Sequence, residues 1–250
     1  MIVKGYDDQL GSGRQGQFTT THWSVVLRAG QEDSPQTAAA LEQLSRTYWY
    51  PLYVYARRHG HGPEDAEDLI QGFFLQLLQN RTFAGANPNK GLFRCFLLAG
   101  LKYYIADSRD RAKAQKRGGG LPALPFDVSG AEGRYGKEPR DDLSPDKIYE
   151  RQWAVALLDQ VLVRLEQHYG ETGRGELFAR LKPFLVEDGR DTPYAGVAVE
   201  LGLTEDAVNK AVQRLRQRYG ALFREEIAHT LANPANVEEE LRYLRGILTG

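Results

Sequence analysis

Apolar residues recur at steps of three and four along nearly every patterned stretch of this chain. Leu41, Leu44, Tyr48, Leu52 and Tyr55 form one such series. Leu69, Ile70, Phe73, Phe74, Leu77 and Leu78 form a second, and Ile148, Trp153, Leu157, Val161 and Leu165 a third. This spacing gathers side chains onto one face of a helix. No segment shows a convincing alternation of apolar and polar residues, and no sequence repeat is evident. A chain patterned this way buries its apolar faces by packing helix on helix, so the expected fold class is all-α.

Turn and cap chemistry marks the helix ends. Ser34-Pro35 starts a helix over 36–59, with proline at its first position, and Pro51 is expected to kink or divide it. Before it, Thr20 or Thr21 caps a short helix carrying Trp23, Val26 and Leu27. Gly60-His61-Gly62-Pro63 is a break. Beyond it Glu64, Asp65 and Glu67 put negative charge at the positive N-terminal end of a helix that reaches Asn80. After a turn at 87–91, residues 92–117 read as one long helix, apolar first and cationic last, stopped by Gly118–Gly120. Residues 121–143 are rich in proline, glycine and charge without periodicity, which is the composition of a linker.

Ser144-Pro145 begins a second series of helices: 146–169, 177–185, Pro193 to Leu201, 205–230, and a last helix capped by Asn236 with Val237, Leu241, Leu244 and Leu248 on one face. The expected organisation is an N-terminal tail (1–17), a helical domain (18–117), a linker (118–143), a second helical domain (144–230) and a C-terminal helical extension (231–250).

The formal net charge of −1 neither names nor excludes a nucleic-acid partner. Its distribution says more. Lys102, Arg109, Arg111, Lys113, Lys116 and Arg117 lie within sixteen residues that hold only Asp107 and Asp110 as acids. Lys210, Arg214, Arg216, Arg218 and Arg224 face only Glu205 and Asp206 between 204 and 224. Separated basic segments are a better signal of nucleic-acid contact than total charge. The single cysteine, Cys95, lies in an apolar run and reads as a small core residue; one thiol builds neither an intrachain disulfide nor a cysteine zinc site. The histidines show no metal-ligand spacing, and no Walker loop or G-x-S-x-G is present. The expectation is a non-enzymatic, cofactor-free cytoplasmic protein without a membrane span.

Residues 194–219, YAGVAVELGLTEDAVNKAVQRLRQRY, have the mechanical parts of a helix-turn-helix. Val197, Ala198 and Leu201 face the crossing. Gly202 permits a left-handed turn, Leu203 plugs the angle, and Thr204 caps the second helix. That helix buries Ala207, Val208, Ala211, Val212 and Leu215. It presents Glu205, Asn209, Lys210, Gln213, Arg214 and Arg218 outward. In a DNA-reading helix of this type, Asn209, Lys210, Gln213 and Arg214 are placed for the groove, and Arg216 and Arg218 for phosphates. The alternative is an αα-corner with a solvated basic face.

RTYWYPLYVYARRHGHGPEDAEDLIQGFFLQLL, then GLFRCFLLAGLKYYIADSRDRAKAQKRGGG, then the linker and the helix-turn-helix together resemble a bacterial RNA polymerase sigma factor of the sigma-70 family. The resemblance is nearest the extracytoplasmic-function group and covers about residues 23–227. PEDAEDLIQGFFLQLL carries the most specific part. The resemblance implies that the 65–78 helix docks on the clamp helices of the largest subunit of core RNA polymerase, with Asp65, Glu67, Asp68 and Gln71 as polar contacts. It implies that the 92–117 helix meets the −10 element of promoter DNA and helps melt it. Lys102, Tyr103, Tyr104, Arg109, Arg111, Lys113, Lys116 and Arg117 are its candidate contacts, since unpaired bases stack on rings while cations hold the backbone.

The helix-turn-helix, including Thr204, would read the −35 element and touch the polymerase flap. An anti-sigma factor or other regulator belongs among the implied partners. Gly72 stands where the family usually has glutamate, and Gly100 interrupts the −10 helix. Gly72 motivates a second reading, a helix-turn-helix regulator that no longer engages polymerase. From the residues alone, the aromatics of 92–105 serve equally as core, and the acids of 64–68 equally as helix-end charge. The last helix has three possible partners: the second domain, the first, or another protein.

Overall fold

The computed structural model describes residues 35–79, 91–114, 128–137, 143–186, 194–231 and 233–249. The expected tail at 1–17, the Trp23 helix, the turn at 87–90, Lys116, Arg117 and Gly118–Gly120 lie outside the described residues. Within them there are helices and no strand: α1 (Pro35–Arg58), α2 (Pro63–Gln79), α3 (Phe93–Ala114), α4 (Val128–Tyr135), α5 (Pro145–Glu171), α6 (Gly175–Leu181), α7 (Pro183–Val186), α8 (Tyr194–Leu201), α9 (Glu205–Thr230) and α10 (Val237–Thr249), with a 3-10 turn at Pro234–Asn236. The class is all-α. No described helix is long and apolar enough to cross a membrane.

Several ends form as the local chemistry dictates. The Ser144 hydroxyl accepts from the Lys147 N–H at the start of α5, with Pro145 at its first position. Others differ. Pro51 lies inside a single continuous α1 rather than dividing it. Pro183 separates the expected 177–185 helix into α6 and α7. Asn236, expected to cap the last helix, instead ends the 3-10 turn that precedes it, and Asn233 caps that turn, its side chain accepting from the Ala235 N–H at 3.0 Å.

The buried side chains form two apolar clusters. The first joins α1, α2 and α3 through Tyr48, Leu52, Ile70, Phe73, Leu97 and Leu101. It also takes in Ile148, Tyr149, Trp153 and Leu157 from α5, Ile227 from α9, Leu231, and Leu244 from α10. The second joins Val161 and Leu165 of α5 to Phe178, Leu181, Phe184, Val197, Val208, Val212 and Leu215. Two helices, α5 and α9, thus supply both cores, and the packing does not follow the expected break at 118–143. The physical reason is length: α5 spans 27 residues, about 40 Å at 1.5 Å per residue.

The expected linker also contains a helix. Among the described side chains of α4 only Ala131 is buried, and no apolar periodicity announces the helix. It is held by charge and rings instead. Glu132 receives the Arg57 guanidinium at 2.9 and 3.2 Å and the Tyr53 hydroxyl. Arg57 lies over the Tyr135 ring at 4.7 Å, and Arg134 over Tyr50 at 4.1 Å. Cations over aromatic faces are attracted by the ring quadrupole.

The Tyr53 hydrogen bond and the Arg57 charge hold the Glu132 carboxyl below its ordinary range against the opposing effect of burial. A carboxylate with a lowered folded pKa contributes stability that is complete above the unfolded value of about 4.3 and is lost as pH falls through the folded value. We therefore expect α4 to lose protection below about pH 4 while α5 and α9 keep theirs, measured by pulsed hydrogen exchange across a pH series.

α2 and α3 meet through reciprocal notches. A Cβ placed on Gly72 of α2 would collide with the hydroxyl of Tyr104 on α3, and one on Gly100 of α3 would sit 3.3 Å from the ring of Phe73 on α2. Each glycine admits the other helix's ring, and Phe73 and Tyr104 lie 5.9 Å apart.

Candidate nucleic-acid interface

The helix-turn-helix elements assemble around the second core. Gly202 adopts φ +64°, the left-handed conformation the turn requires. The Leu203 N–H donates to the Ala198 carbonyl at 2.9 Å, closing the end of α8. Thr204 is extended, and its hydroxyl accepts from the Ala207 N–H at 3.2 Å, capping α9. Val208, Val212 and Leu215 are buried against Val197 and Ala198, while Ala207 and Ala211 are half-buried. Leu203 departs from expectation. It is 43% exposed rather than wedged between the helices, because Val197, Ala198, Val208 and Val212 already fill the crossing. Val199, at 84%, is exposed as well.

The outward face of α9 presents Lys210, Gln213, Arg214 and Arg218, all exposed, with Asn209 half-buried beside them. Lys210 pairs with Asp206 one turn back at 2.8 Å. Such an exposed i,i+4 pair contributes little to stability, so the ammonium is readily redirected. Asn209 and Gln213 are within 3.5 Å of one another. Arg216 differs from the expectation of a phosphate contact: Nε and an Nη donate to the Phe184 carbonyl at 3.3 and 3.0 Å, tying α9 to α7.

On α3 the helical phase sorts the candidates. Phe93, Arg94, Leu97, Leu98, Leu101 and Ile105 are buried, which turns Cys95, Ala99, Lys102, Tyr103 and Ala106 outward. Cys95 is accordingly exposed, not the core residue its surroundings suggest. Tyr103 is 72% exposed and presents a free face for stacking. Tyr104 does not: its ring is seated against Phe73 and the Gly72 notch. Lys102 pairs with Asp146 of α5. Arg109, Arg111 and Lys113 lie on the last turns of α3, and their side chains are outside the described residues. On α2, Asp65 and Asp68 are exposed, and the half-buried Gln71 donates to Glu67 at 2.9 Å.

The least anticipated residue is Arg94. It is 2% exposed and is the one arginine buried among the described residues. Its guanidinium pairs with Glu240 of α10, lies 3.6 Å from Glu150 of α5, and stacks over Trp153 at 4.6 Å. The Arg94 carbonyl accepts the Tyr149 hydroxyl at 3.0 Å, and the Tyr243 hydroxyl donates to Glu150. Burial is the largest single influence and opposes the charge, but Glu240, Cys95 and Glu150 together outweigh it and raise the arginine's pKa. The Tyr243 hydroxyl is itself pushed up to about 12, by burial first and by Glu150.

Among the described residues no group of histidines, cysteines and carboxylates is arranged to hold a metal ion. Compared with protein-family models, curated proteins and solved structures, the chain matches none.

Proposed function

We propose that this chain is a transcription initiation factor of the sigma type, which binds core RNA polymerase and directs it to promoters. The observation that carries the reading is the helix-turn-helix: a glycine in the left-handed conformation, a threonine-capped second helix, and an outward row of Lys210, Gln213, Arg214 and Arg218 over a buried Val208/Val212/Leu215 face. α9 would read the −35 element, with its first turns in the major groove. α3 would meet the −10 element with Tyr103 as its stacking ring and Lys102 as a backbone contact, Tyr104 serving the helix packing instead. α2 would offer Asp65 and Asp68 to the polymerase clamp. Gly72, which motivated the regulator reading, has an ordinary role in admitting the Tyr104 ring.

The test is retention of core polymerase by the purified chain at moderate salt, followed by transcription in vitro from a promoter library. Retention with promoter-dependent transcripts supports the reading. DNA binding without retention replaces it with the helix-turn-helix regulator. We expect Arg214→Ala to weaken binding to the selected promoter by about 1–3 kcal/mol if it contacts a base, with relaxed preference at one position. Arg218→Ala, at the exposed candidate phosphate contact, should weaken binding to all sequences alike and lower the salt slope by about one. Fluorescence anisotropy over a salt series measures both.

A further inference from the structure

α10 touches three parts of the fold at once. Leu244 is buried in the first core, Arg224 of α9 pairs with Glu238 at 3.1 Å, and Glu240 pairs with Arg94 of α3. It is held on with a single fully buried apolar side chain, Leu244, and with Val237, Leu241 and Leu248 packed at the edge of the same core. Among its side chains only Glu240 and Leu244 are buried; Val237, Leu241 and Leu248 are half-buried, and Tyr243 is 46% exposed. A buried ion pair gives back much of its Coulombic gain in desolvation, so a helix that adds to one only a single fully buried apolar side chain is suited to local release.

α10 and α5 together neutralise the described cations of α3. Arg94 is matched by Glu240 and Glu150, and Lys102 by Asp146. All three carboxylates come from the C-terminal part of the chain. In this arrangement α3, which carries the candidate −10 contacts, has its described cations occupied by the protein's own acids, and its orientation to α9 is fixed through α5 and α10.

From this we infer that α10 is an internal clasp: Glu240 and Leu244 hold α3 closed against α5, and promoter opening requires α10 to let go. The inference rests on the proposed initiation role. It makes the chain self-restrained, with the Arg94–Glu240 pair as the contact that any activating event must break.

The exposed and only cysteine permits a direct test. The Tyr243 ring lies 5.8 Å from the Arg94 guanidinium, next in sequence to Cys95. In Tyr243→Cys, a reducible bifunctional thiol reagent joins α10 to α3 in the otherwise intact chain. Transcription with core polymerase should fall at least about tenfold when the link is formed and return on reduction, within the usual range of coupling between sites. Glu240→Gln combined with Leu244→Ala should raise transcription several-fold and speed hydrogen exchange across residues 93–105, leaving 205–222 protected. Equal transcription by the linked and reduced forms overturns the clasp and leaves the proposed function standing. Absence of transcription from every form, the released variant included, overturns the proposed function and the clasp with it.

Discussion

Arg94→Ala is expected to weaken the attachment of α10 by about 3–5 kcal/mol, the range for removing one partner of a buried ion pair. The loss exceeds that of the contact itself. Glu240 is only 8% exposed, and without the guanidinium its carboxylate would remain in a site that water barely reaches. The Trp153 ring would lose its stacked cation as well. The cheapest escape is for Glu240 to leave with its helix, so hydrogen exchange should show α10 opening before α1 or α5. Arg94→Met with Glu240→Leu should recover most of the loss, since replacing both partners by apolar groups leaves no charge behind. Urea denaturation of the two single variants and the double gives the coupling directly. A coupling near zero would show that Arg94 and Glu240 do not act as a pair.

Gly72→Ala is expected to destabilise the chain by about 1–2 kcal/mol, opposite in sign to helix propensity. In an open helix the change would gain up to about 1 kcal/mol. Here the new methyl meets the Tyr104 hydroxyl, with the ring carbon behind it 3.3 Å away. Overpacking of this kind costs about 1–3 kcal/mol. Tyr104 is a rigid ring set against Phe73, so relief requires moving α3 or turning the ring out. Tyr104→Phe removes the colliding oxygen and should restore most of the loss in the Gly72→Ala background. Thermal unfolding of the four proteins distinguishes this from a surface glycine, for which alanine would raise Tm.

Helix class and most boundaries were legible because caps and spacing act locally: Ser144-Pro145, Gly202 and Thr204 each do what their chemistry requires. Arg94 and Glu240 were legible in principle. Arg94 lies four residues before Leu98 and eleven before Ile105, in register with the buried face. Glu240 likewise precedes Leu244 by four. A charge of each sign on an apolar stripe is a signal to seek its partner, but a single sequence does not say which stripe meets which. The same phase placed Cys95 outward, although Phe93, Phe96 and Leu97 around it are apolar. α4 left no periodic trace because cation–ring stacking and one carboxylate hold it, and these have no helical spacing. Tyr104 could not be told from Tyr103 until α2 was in place. The side chains that meet solvent on α9 followed from its apolar face; the diversion of Arg216 to the Phe184 carbonyl depended on α7 and did not.

The sharing of α5 between the two cores governs the order in which the chain can fold during synthesis. Tyr48, Ile70 and Leu101 emerge from the ribosome before Trp153, Ile227 and Leu244, which belong to the same core. Domains ordinarily close one after another as translation proceeds. Here the apolar surface of α1, α2 and α3 waits for α10. The nascent chain therefore carries unburied tyrosines and phenylalanines from the synthesis of α1 until that of α10, and chaperone demand should fall only once residue 244 clears the exit tunnel.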